Sequence, residues 1–598
     1  MARRICFSLC LVLAITLLPL PSKGQSAAES YFPDIPKEWP REAVRAAHGM
    51  VASDEPLASQ AGIEILKSGG NAVDAAVATA FALAVVEPAA GNIGGGGFML
   101  VRLATGKTNF FDYREMAPGK ATRDMYIKPD GSLDKQASTV GYRSVAIPGT
   151  VAGLALALQT HGSLKLADVL QPAIRYAEQG IPVTEKLLHE FQEERPDLQR
   201  FSMSHHIFLN DGKMFSVGET LRQPELAATL KRIARNGPNE FYKGQTAQML
   251  AGDMAALGGL ITLDDLANYQ PKIREVLQAD YTINGQRWQV ISSPPPSSGG
   301  VVVIEALNML QGVPLKGWDD PQSVHMVAEV MRRMFADRAA YLADPDFANV
   351  PVAGLTSPCY AKDLVETIDP VRASSSTQVR AGNPHVCGSN VTATTAPNTI
   401  VSLGEGRHTT HFSVVDAAGN AVASTFTLND SYGSHVACSA GFLLNDEMDD
   451  FTTQPGVPNA LFGLIQSEAN TIAPGKRPLS SMTPTIVLRD GQLSFVTGSP
   501  GGPTIISVTL LSILNWMRLG MDAQSAINAP RFHHQWLPDD LILEKLFSPA
   551  IEEQMKARGY ELKRRGHIGL VNAIGIDPKT GERYGAADPR DNGAAIGY

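Results

Sequence analysis

The spacing of apolar residues divides the chain into a helix-rich first part and a strand-rich second part. Helical periodicity covers Pro56 to Lys67, Asn71 to Val86 and Ser163 to Gly180. Asn71, with Asp74 three residues later, is typical of a capped helix start. Strand patterns dominate towards the C-terminus. This mixture predicts a layered α/β or α+β core.

The clearest strand pattern forms a hairpin. The runs HFSVVD and AVASTFTLN flank a short loop that ends in Gly419, and a three-residue loop with a left-handed glycine is a common hairpin connection. If Asp416 pairs with Asn420, paired residue numbers sum to 836, and Thr409 lies opposite Thr427. Directly opposed residues share a face of the sheet, so the two hydroxyls are expected to lie close together.

The first apolar run predicts a targeting segment. Arg3 and Arg4 precede an apolar stretch from Ile5 to Leu20, typical of a secretory signal peptide, which we expect to be removed near Gly24. The stretch is shorter than the roughly 20 residues that a membrane span needs, and no later stretch is long and apolar enough. We therefore expect an exported protein, periplasmic or secreted, with no membrane span after signal removal.

Charge and cysteine content narrow the function class. Loss of residues 1–24 removes three basic residues and no acid, which takes the formal net charge from −9 to −12. No basic cluster stands out, so we expect no nucleic-acid partner. Three cysteines remain, too few for a disulfide scaffold. Cys359 and Cys387 are candidates for one disulfide in an oxidising compartment, whereas the sequence cannot supply the geometry.

Thr409 has two interpretations. Threonine is common at strand edges, so the simpler one is structural. The other is catalytic, because a threonine at the start of a chain is a strong nucleophile with its own α-amine as base. That role requires cleavage between His408 and Thr409, next to a loop-like segment at 373–399. Thr427 would then orient the nucleophilic hydroxyl.

Seven motifs in order decide between these interpretations. From about His48 to the C-terminus, the chain resembles the γ-glutamyltranspeptidases of the N-terminal nucleophile hydrolase superfamily. The motifs are GIEILKSGGNAVDAAVA (62–78), GNIGGGGFML (91–100), DYREMAP (112–118), TTHFSVVDAAGNAVASTFTLN (409–429), LLNDEMDDF (443–451), KRPLSSMTPT (476–485) and GSPGG (498–502). The resemblance implies an α+β fold, a four-layer αββα core built from both fragments of a self-cleaved precursor. The implied division of the chain is a signal peptide (1–24) followed by the two fragments, a large subunit (25–408) and a small subunit (409–598).

The resemblance also implies roles for individual residues. Thr409 is the expected nucleophile, with Thr427 as its hydroxyl partner. The remaining roles are Arg114 with Ser480 and Ser481 for the substrate α-carboxylate, Asn429, Glu447 and Asp450 for the α-ammonium, and Gly501 and Gly502 for the oxyanion hole. The chemistry is consistent with this, because an arginine fork suits a carboxylate and carboxylates suit an ammonium.

The expected activity is that of a γ-glutamyltransferase and glutathione hydrolase. The substrates would be γ-glutamyl compounds such as glutathione, with amino-acid or peptide acceptors, and the two subunits would form a heterodimer. We expect no cofactor and no metal. The alternatives are a related amidase such as a glutaryl (cephalosporin) acylase, and an exported solute-binding protein without catalysis.

Three further patterns are less decisive. GNIGGGGF resembles a dinucleotide-binding loop, but that loop follows a strand and opens a helix, whereas the order predicted here is helix then strand. His533 and His534 are adjacent on an extended segment, so they point to opposite faces. Departures from the family lie at Glu447, where some members have glutamine, and near Phe462, in a lid loop (455–464) where a tyrosine often stands.

Overall fold

The computed structural model describes residue 36, residues 38–388 and residues 409–598. The predicted signal peptide, His408 and the end of the 373–399 segment lie outside the described residues, so their predictions stay predictions.

Strands supply the centre of the described structure. They are β1 (Val44–Ala46), β2 (Met50–Ser53), β3 (Gly96–Arg102), β4 (Thr108–Tyr113), β5 (Ile181–Pro182), β6 (Thr220–Leu221), β7 (Lys272–Arg274), β8 (Leu277–Ile283), β9 (Gln286–Ser292), β10 (Thr409–Val415), β11 (Ala421–Thr427), β12 (Thr485–Arg489), β13 (Gln492–Thr497), β14 (Phe532–His533), β15 (Asp540–Glu544), β16 (Glu561–Arg565), β17 (Ala573–Ile576), β18 (Arg583–Ala586) and β19 (Ala594–Gly597).

Helices cover both outer faces of the strands. They span Pro56–Lys67, Ala72–Val86, Lys135–Thr139, Thr150–His161, Leu166–Val169, Gln171–Gln179, Glu185–Glu193, Arg195–Leu198, Ser202–Leu209, Pro224–Asn236, Asn239–Lys243, Gln245–Leu257, Leu263–Asn268, Gly299–Met309, Pro321–Tyr341, Val352–Leu355, Pro358–Glu366, Thr504–Met517, Ala523–Asn528 and Pro549–Arg558. Short 3₁₀ turns lie at Tyr142–Ser144, Asn210–Gly212, Glu447–Asp450 and Glu468–Asn470.

Two seven-stranded sheets dominate the topology. One has the order β1-β18-β17-β13-β12-β9-β8, and the other has the order β19-β2-β10-β11-β3-β4-β7. Neighbours in both sheets are antiparallel. Each sheet combines strands from before residue 388 with strands from after residue 409. Neither part of the chain therefore contains either of these two seven-stranded sheets in full.

Alternating side chains define four layers. In β3, Phe98 and Leu100 pack in one apolar cluster with Ile486 of β12, which joins the two sheets face to face. The residues between them, Met99 and Val101, pack with the outer helices instead. A third cluster combines the far face of the other sheet with the helices Pro321–Tyr341 and Thr504–Met517. The predicted αββα arrangement is confirmed.

The helix predictions were right at two positions and wrong at one. Pro56–Lys67 is helical as predicted, and Asn71 caps Ala72–Val86 through a capping box with Asp74. The predicted helix from Ser163 to Gly180 is instead two helices, with the second starting at Gln171. Pro172 has no N–H to donate to the preceding turn, so it suits a new helix start rather than a helix interior.

The hairpin forms in the predicted register. Thr409 is the partner of Thr427, and Val415 is the partner of Ala421. The Asp416 amide donates to the Asn420 carbonyl oxygen at 3.1 Å, and Gly419 adopts a left-handed conformation with a φ of 86°. The turn chemistry alone therefore placed the two threonines opposite each other.

The glycines of GNIGGGG pack against the backbone beneath the hairpin. A Cβ atom at Gly94 would lie 2.0 Å from the Leu443 carbonyl oxygen, and one at Gly95 would lie 2.1 Å from the Thr427 carbonyl oxygen. The helix Ala72–Val86 precedes this segment and β3 follows it. The segment therefore lets β3 approach the hairpin closely, as the predicted helix-then-strand order indicates.

Two findings concern the cysteines and the possibility of a membrane-spanning helix. Cys359 and Cys387 form a disulfide with a Cα–Cα distance of 5.4 Å, and Cys438 is buried and free. Within the described ranges, no helix has the length and apolar character that crossing a bilayer requires.

Candidate active site

Thr409 is the first residue of β10, an interior strand of one of the two central sheets, and it is 7% exposed. Its hydroxyl donates to Thr427 Oγ1 at 3.1 Å. The Asn429 amide donates to the same Thr427 oxygen at 2.8 Å. Thr427 is therefore held by the backbone just beyond its own strand, and it orients the Thr409 hydroxyl.

Asp54 supports the next two residues of β10. Its Oδ2 atom accepts from the Thr410 hydroxyl at 3.0 Å and from the His411 amide at 3.2 Å. Asn572 donates to its Oδ1 atom at 2.6 Å. Burial raises the pKa of Asp54 to about 7, against the lowering effects of Lys186 and of these hydrogen bonds. Sequence reasoning missed Asp54, because it lies in no polar motif and far from Thr410 in sequence.

A small cavity beside Thr409 brings most of the predicted site residues together. Its lining includes Arg114, Arg338, Thr409, Thr427, Asn429, Asp450, Phe462, Leu464, Ser480, Ser481, Met482, Gly502 and Ile505. Of the predicted residues, Glu447 and Gly501 are absent from this lining. Glu447 instead contacts Arg114, and Gly501 immediately precedes Gly502.

Arg114 is the centre of a buried ionic cluster. Its guanidinium lies 2.5 Å from Asp450 and 2.6 Å from Glu447, and Glu115 is 3.4 Å away. Burial opposes charge on Arg114, but these three acids raise its pKa above the ordinary value. Burial also raises the pKa of each acid, against the lowering effect of Arg114, to about 7 for Glu115. Arg114 therefore stays charged next to the three acids.

The groups predicted for the two ends of an amino acid touch each other directly. Arg114, expected to bind a carboxylate, is paired with Asp450 and Glu447, which are expected to bind an ammonium. Glu447 is fully buried and its Oε2 atom pairs with Arg114, but no residue that the structure describes donates to its Oε1 atom. Glu447 therefore keeps acceptor capacity next to the cavity.

Ser480 and Ser481 have different partners. The Ser480 hydroxyl accepts from the Met482 amide at 3.1 Å, and the Ser481 hydroxyl accepts from Arg338 Nη2 at 3.2 Å. Ser298 fixes the backbone, since its amide and its hydroxyl both donate to the Ser480 carbonyl oxygen at 2.7 Å. The serine pair is therefore rigidly positioned on the cavity wall.

Gly501 and Gly502 both have positive φ angles, 126° and 56°. They lie just before the helix Thr504–Met517, where the helix dipole favours negative charge. Their amides donate no hydrogen bond to any residue that the structure describes. Two amides with no acceptor among the described residues, one of them from Gly502 in the lining of the Thr409 cavity, are suited to stabilise an oxyanion.

Comparison with known proteins identifies the family of the chain. The family model for γ-glutamyltranspeptidase matches residues 58–598. The chain belongs to the γ-glutamyltranspeptidase family. It is 45% identical over 551 residues to the glutathione hydrolase proenzyme of Escherichia coli strain K12, covering 92% of this chain and 91% of that protein.

Two solved structures extend the comparison. The crystal structure of cephalosporin acylase from Bacillus halodurans has a TM-score of 0.80 and 28% identity, covering 94% of this chain and 99% of its own. A crystal structure of Helicobacter pylori γ-glutamyltranspeptidase has a TM-score of 0.54 and 40% identity, covering 56% of this chain and 97% of its own. The acylase fold is therefore shared by this family member at lower sequence identity.

The segment that resembles a family lid closes the cavity from one side. Phe462 and Leu464 are buried and line it. Asp449, which sequence reasoning left out of the site, accepts from the Leu461 amide at 3.1 Å and from the Ser138 hydroxyl at 2.7 Å. Burial raises the pKa of Asp449 to about 7. Asp449 anchors the lid, whereas its neighbour Asp450 faces the cavity.

The described residues contain no group of three or more His, Cys, Asp or Glu side chains placed to hold a metal ion. His533 contacts the Ser507 hydroxyl at 2.7 Å, while His534 accepts from the Trp536 amide at 3.1 Å. The two histidines therefore have separate partners.

Proposed function

We propose that this γ-glutamyltranspeptidase family member is a γ-glutamyltransferase and glutathione hydrolase with Thr409 as nucleophile. The observation that supports this most is the cavity that joins the Thr409–Thr427 hydroxyl pair to the buried cluster of Arg114 with Asp450. One enclosed site thus contains both the proposed nucleophile and the charged side chains proposed to bind the amino-acid end of the substrate.

Maturation precedes catalysis. Self-cleavage of the bond between His408 and Thr409 frees the α-amine of Thr409, which then serves as the general base. The products are the large subunit 25–408 and the small subunit 409–598. They stay together as a heterodimer, because both central sheets combine strands from the two parts.

Catalysis is acyl transfer in two steps. The Thr409 hydroxyl gives its proton to the α-amine, and its oxygen attacks the γ-carbonyl carbon of the substrate. The Gly501 and Gly502 amides stabilise the oxyanion. The C–N bond then breaks, the leaving amine takes the proton, and a γ-glutamyl ester remains on Thr409. Water yields glutamate by the reverse sequence, while an acceptor amine yields a new γ-glutamyl amide.

Recognition rests on matched charge. The substrate head is a zwitterion, so its α-carboxylate meets Arg114 with Ser480 and Ser481. Its α-ammonium meets Asp450, Glu447 and the Asn429 side chain. Inside an enclosed site these interactions are stronger than in water.

Two further properties are part of the proposal. The E. coli relative is named a proenzyme, and the Helicobacter pylori chain matches 97% of its own length against 56% of this one. Both support a precursor that yields two chains. A signal peptide at 1–24 and export to the periplasm or beyond fit the charge pattern there and the Cys359–Cys387 disulfide.

The alternatives are less well supported. A glutaryl group has no α-amine, so an acylase of that kind would leave Asp450 and Glu447 without a counterpart on the substrate. A solute-binding protein has no use for the Thr409–Thr427 pair or for free oxyanion donors.

One gel and one assay test the proposal. Purified wild-type protein should hydrolyse γ-glutamyl-p-nitroanilide and show bands of about 41 kDa and about 20 kDa on a denaturing gel, scaling the 63.9 kDa chain by residue count. Thr409→Ala should give one uncleaved, inactive chain. A single uncleaved wild-type band with full activity would disprove the N-terminal threonine mechanism. Cleaved protein that hydrolyses only glutaryl anilides would favour the acylase.

A further inference from the structure

Arg338 is a second buried guanidinium beside Thr409. It lies near the end of the helix Pro321–Tyr341, is 1% exposed and lines the same cavity. Its Nε atom donates to the Ser298 hydroxyl at 2.9 Å, and its Nη2 atom donates to the Ser481 hydroxyl at 3.2 Å. Both contacts fix the fork on the wall that contains the serine pair.

The third nitrogen of this side chain has no hydrogen-bond partner among the residues that the structure describes. Arg338 Nη1 is buried and donates to no residue that the structure describes. Arginine has five N–H donors, and a buried donor without an acceptor destabilises the fold. A purely structural arginine in this position would be expected to use all three nitrogens. The unused nitrogen belongs to a side chain that lines the cavity.

Arg338 also has no direct ion pair among the described residues. Within the described residues, no carboxylate lies within 4.0 Å of it, and Asp450, the acid that raises its pKa, is already paired with Arg114 at 2.5 Å. Burial lowers the pKa of Arg338 to about 10, so the guanidinium remains protonated at neutral pH. A buried cation next to a cavity, whose nearest interacting acid is already paired with Arg114, is suited to bind an anion there.

We propose that Arg338 binds the α-carboxylate of the γ-glutamyl group together with Arg114, an inference that rests on the proposed function. Arg114 already interacts with three acids, so its charge is largely compensated before substrate enters. Arg338 supplies the positive charge that remains. One carboxylate oxygen meets Nη1 of Arg338, and Ser481, held by the same guanidinium, donates its hydroxyl hydrogen to the carboxylate. Arg338 is thus a specificity-determining residue for substrates with an α-carboxylate.

The test compares two anilides that differ in that carboxylate alone. γ-Glutamyl-p-nitroanilide has it, and 4-aminobutyryl-p-nitroanilide lacks it while keeping the amine. Arg338→Gln should lower kcat/KM for the γ-glutamyl substrate by about tenfold or more, since a charged hydrogen bond is lost. The rate on the 4-aminobutyryl substrate, followed at high enzyme concentration, should change by less than about twofold. Arg338→Lys should restore part of the γ-glutamyl rate.

Arg333→Gln is the matched control. Arg333 lies on the same helix, is buried, and pairs with Glu329 and Thr367 instead of facing the cavity. Its loss should leave the ratio of the two rates as in wild type. An equal fall on both substrates in Arg338→Gln, or no fall, would overturn the inference.

Two outcomes remain distinguishable if Arg338→Gln does not fold. Arg338→Lys alone should then lower the ratio by at least about threefold, because an ammonium cannot span the carboxylate and Ser481 together; an unchanged ratio refutes the inference. A wild-type enzyme inactive on γ-glutamyl-p-nitroanilide refutes the proposed function instead.

Discussion

Thr409 and Thr427 face each other across the central hairpin, with their hydroxyl oxygens 3.1 Å apart. Thr427 also accepts from the Asn429 amide at 2.8 Å. The Thr409 hydroxyl is therefore aimed by a partner whose own position is fixed by the backbone. In the proposed reaction this keeps the nucleophilic oxygen directed before substrate enters.

Thr427→Val keeps the shape of the side chain and removes its hydroxyl. A neutral hydrogen bond contributes about 0.5 to 1.5 kcal/mol, so we expect kcat to fall by about two- to twelvefold on γ-glutamyl-p-nitroanilide. The fall should lie mainly in kcat, because Thr427 orients the proposed nucleophile, whereas other residues bind the amino-acid end of the substrate. Steady-state kinetics on purified, cleaved enzyme measures this.

Thr425→Val is the control for loss of a buried threonine hydroxyl from β11. Thr425 contacts His411 Nδ1 at 2.8 Å and lies outside the cavity lining. It should reduce stability and leave kcat close to wild type. If both variants lower kcat equally, the Thr409–Thr427 contact has no special role.

The hairpin was predictable because its determinants are local. Gly419 fixes the turn and the alternation fixes the face, so Thr409 and Thr427 could be paired from sequence alone. Asn71 and Asp74 likewise predicted the start of the helix that they cap. The error at Pro172 concerned only where one helical pattern is interrupted. Local rules therefore placed Thr409 opposite Thr427.

The rest of the site depends on contacts between distant segments. Asp54 and Thr410 are 356 residues apart, and Arg338 and Ser481 are 143 residues apart. No local pattern distinguishes Arg338 from Arg332 and Arg333 on the same helix; only tertiary packing turns it towards Ser481. The resemblance to a family placed Arg114 near the serines, but their partners needed coordinates.

The ion pair between Arg114 and Asp450 predicts unequal stability losses. Arg114→Ala leaves three buried acids without the guanidinium that they contact directly, and breaking a buried ion pair typically destabilises a protein by about 3 to 5 kcal/mol. Asp450→Asn leaves Arg114 with Glu447 and Glu115, so its loss should be smaller. Urea unfolding of both variants measures the difference, and equal losses would contradict the cluster as described.

Asp450→Asn also tests recognition of the α-ammonium. The substitution keeps shape and removes charge, so kcat/KM for γ-glutamyl-p-nitroanilide should fall by at least about tenfold. Glutaryl-p-nitroanilide lacks the amine, and its penalty should be smaller. If both substrates lose the same factor, Asp450 does not bind the amine, and the acylase interpretation gains support.

Buried acids predict a fall in stability as pH rises. Burial raises the pKa to about 7 for Asp54, Glu55, Glu115, Glu190 and Asp449. A raised pKa means that the folded state binds the proton more tightly than the unfolded state. The resulting stability is complete below about pH 4 and is lost as pH rises through about 7. Tm should therefore decrease between about pH 5 and pH 8.

Glu55→Gln removes the titrating group of one of these acids, which lies outside the cavity, and so measures its contribution alone. Its Tm should vary less with pH than that of wild type. The same change at Glu366, an exposed residue near Lys362, should leave the pH dependence unaltered. At lower pH the trend reverses, because Asp539 has a pKa below its ordinary value: burial opposes this, but His534 and Arg332 outweigh it. A Tm that rises from pH 5 to pH 8 would refute the prediction.

Adding a single methyl group at Gly502 should distinguish an effect on catalysis from an effect on folding. Its φ is 56°, and a Cβ atom there would lie 2.7 Å from the Phe462 ring. Gly502→Ala should therefore displace the lid and misalign the oxyanion donors. Loss of one such donor costs about 2.7 to 4 kcal/mol in other enzymes, so we expect kcat/KM to fall at least about tenfold.

Gly520, with a φ of 64° and no atom within 4 Å of its Cβ position, is the matched control. Gly520→Ala meets the same left-handed strain of about 1 to 2 kcal/mol and should lower Tm while leaving kcat/KM unchanged. If Gly502→Ala also lowers only Tm, the Gly502 amide takes no part in stabilising the oxyanion.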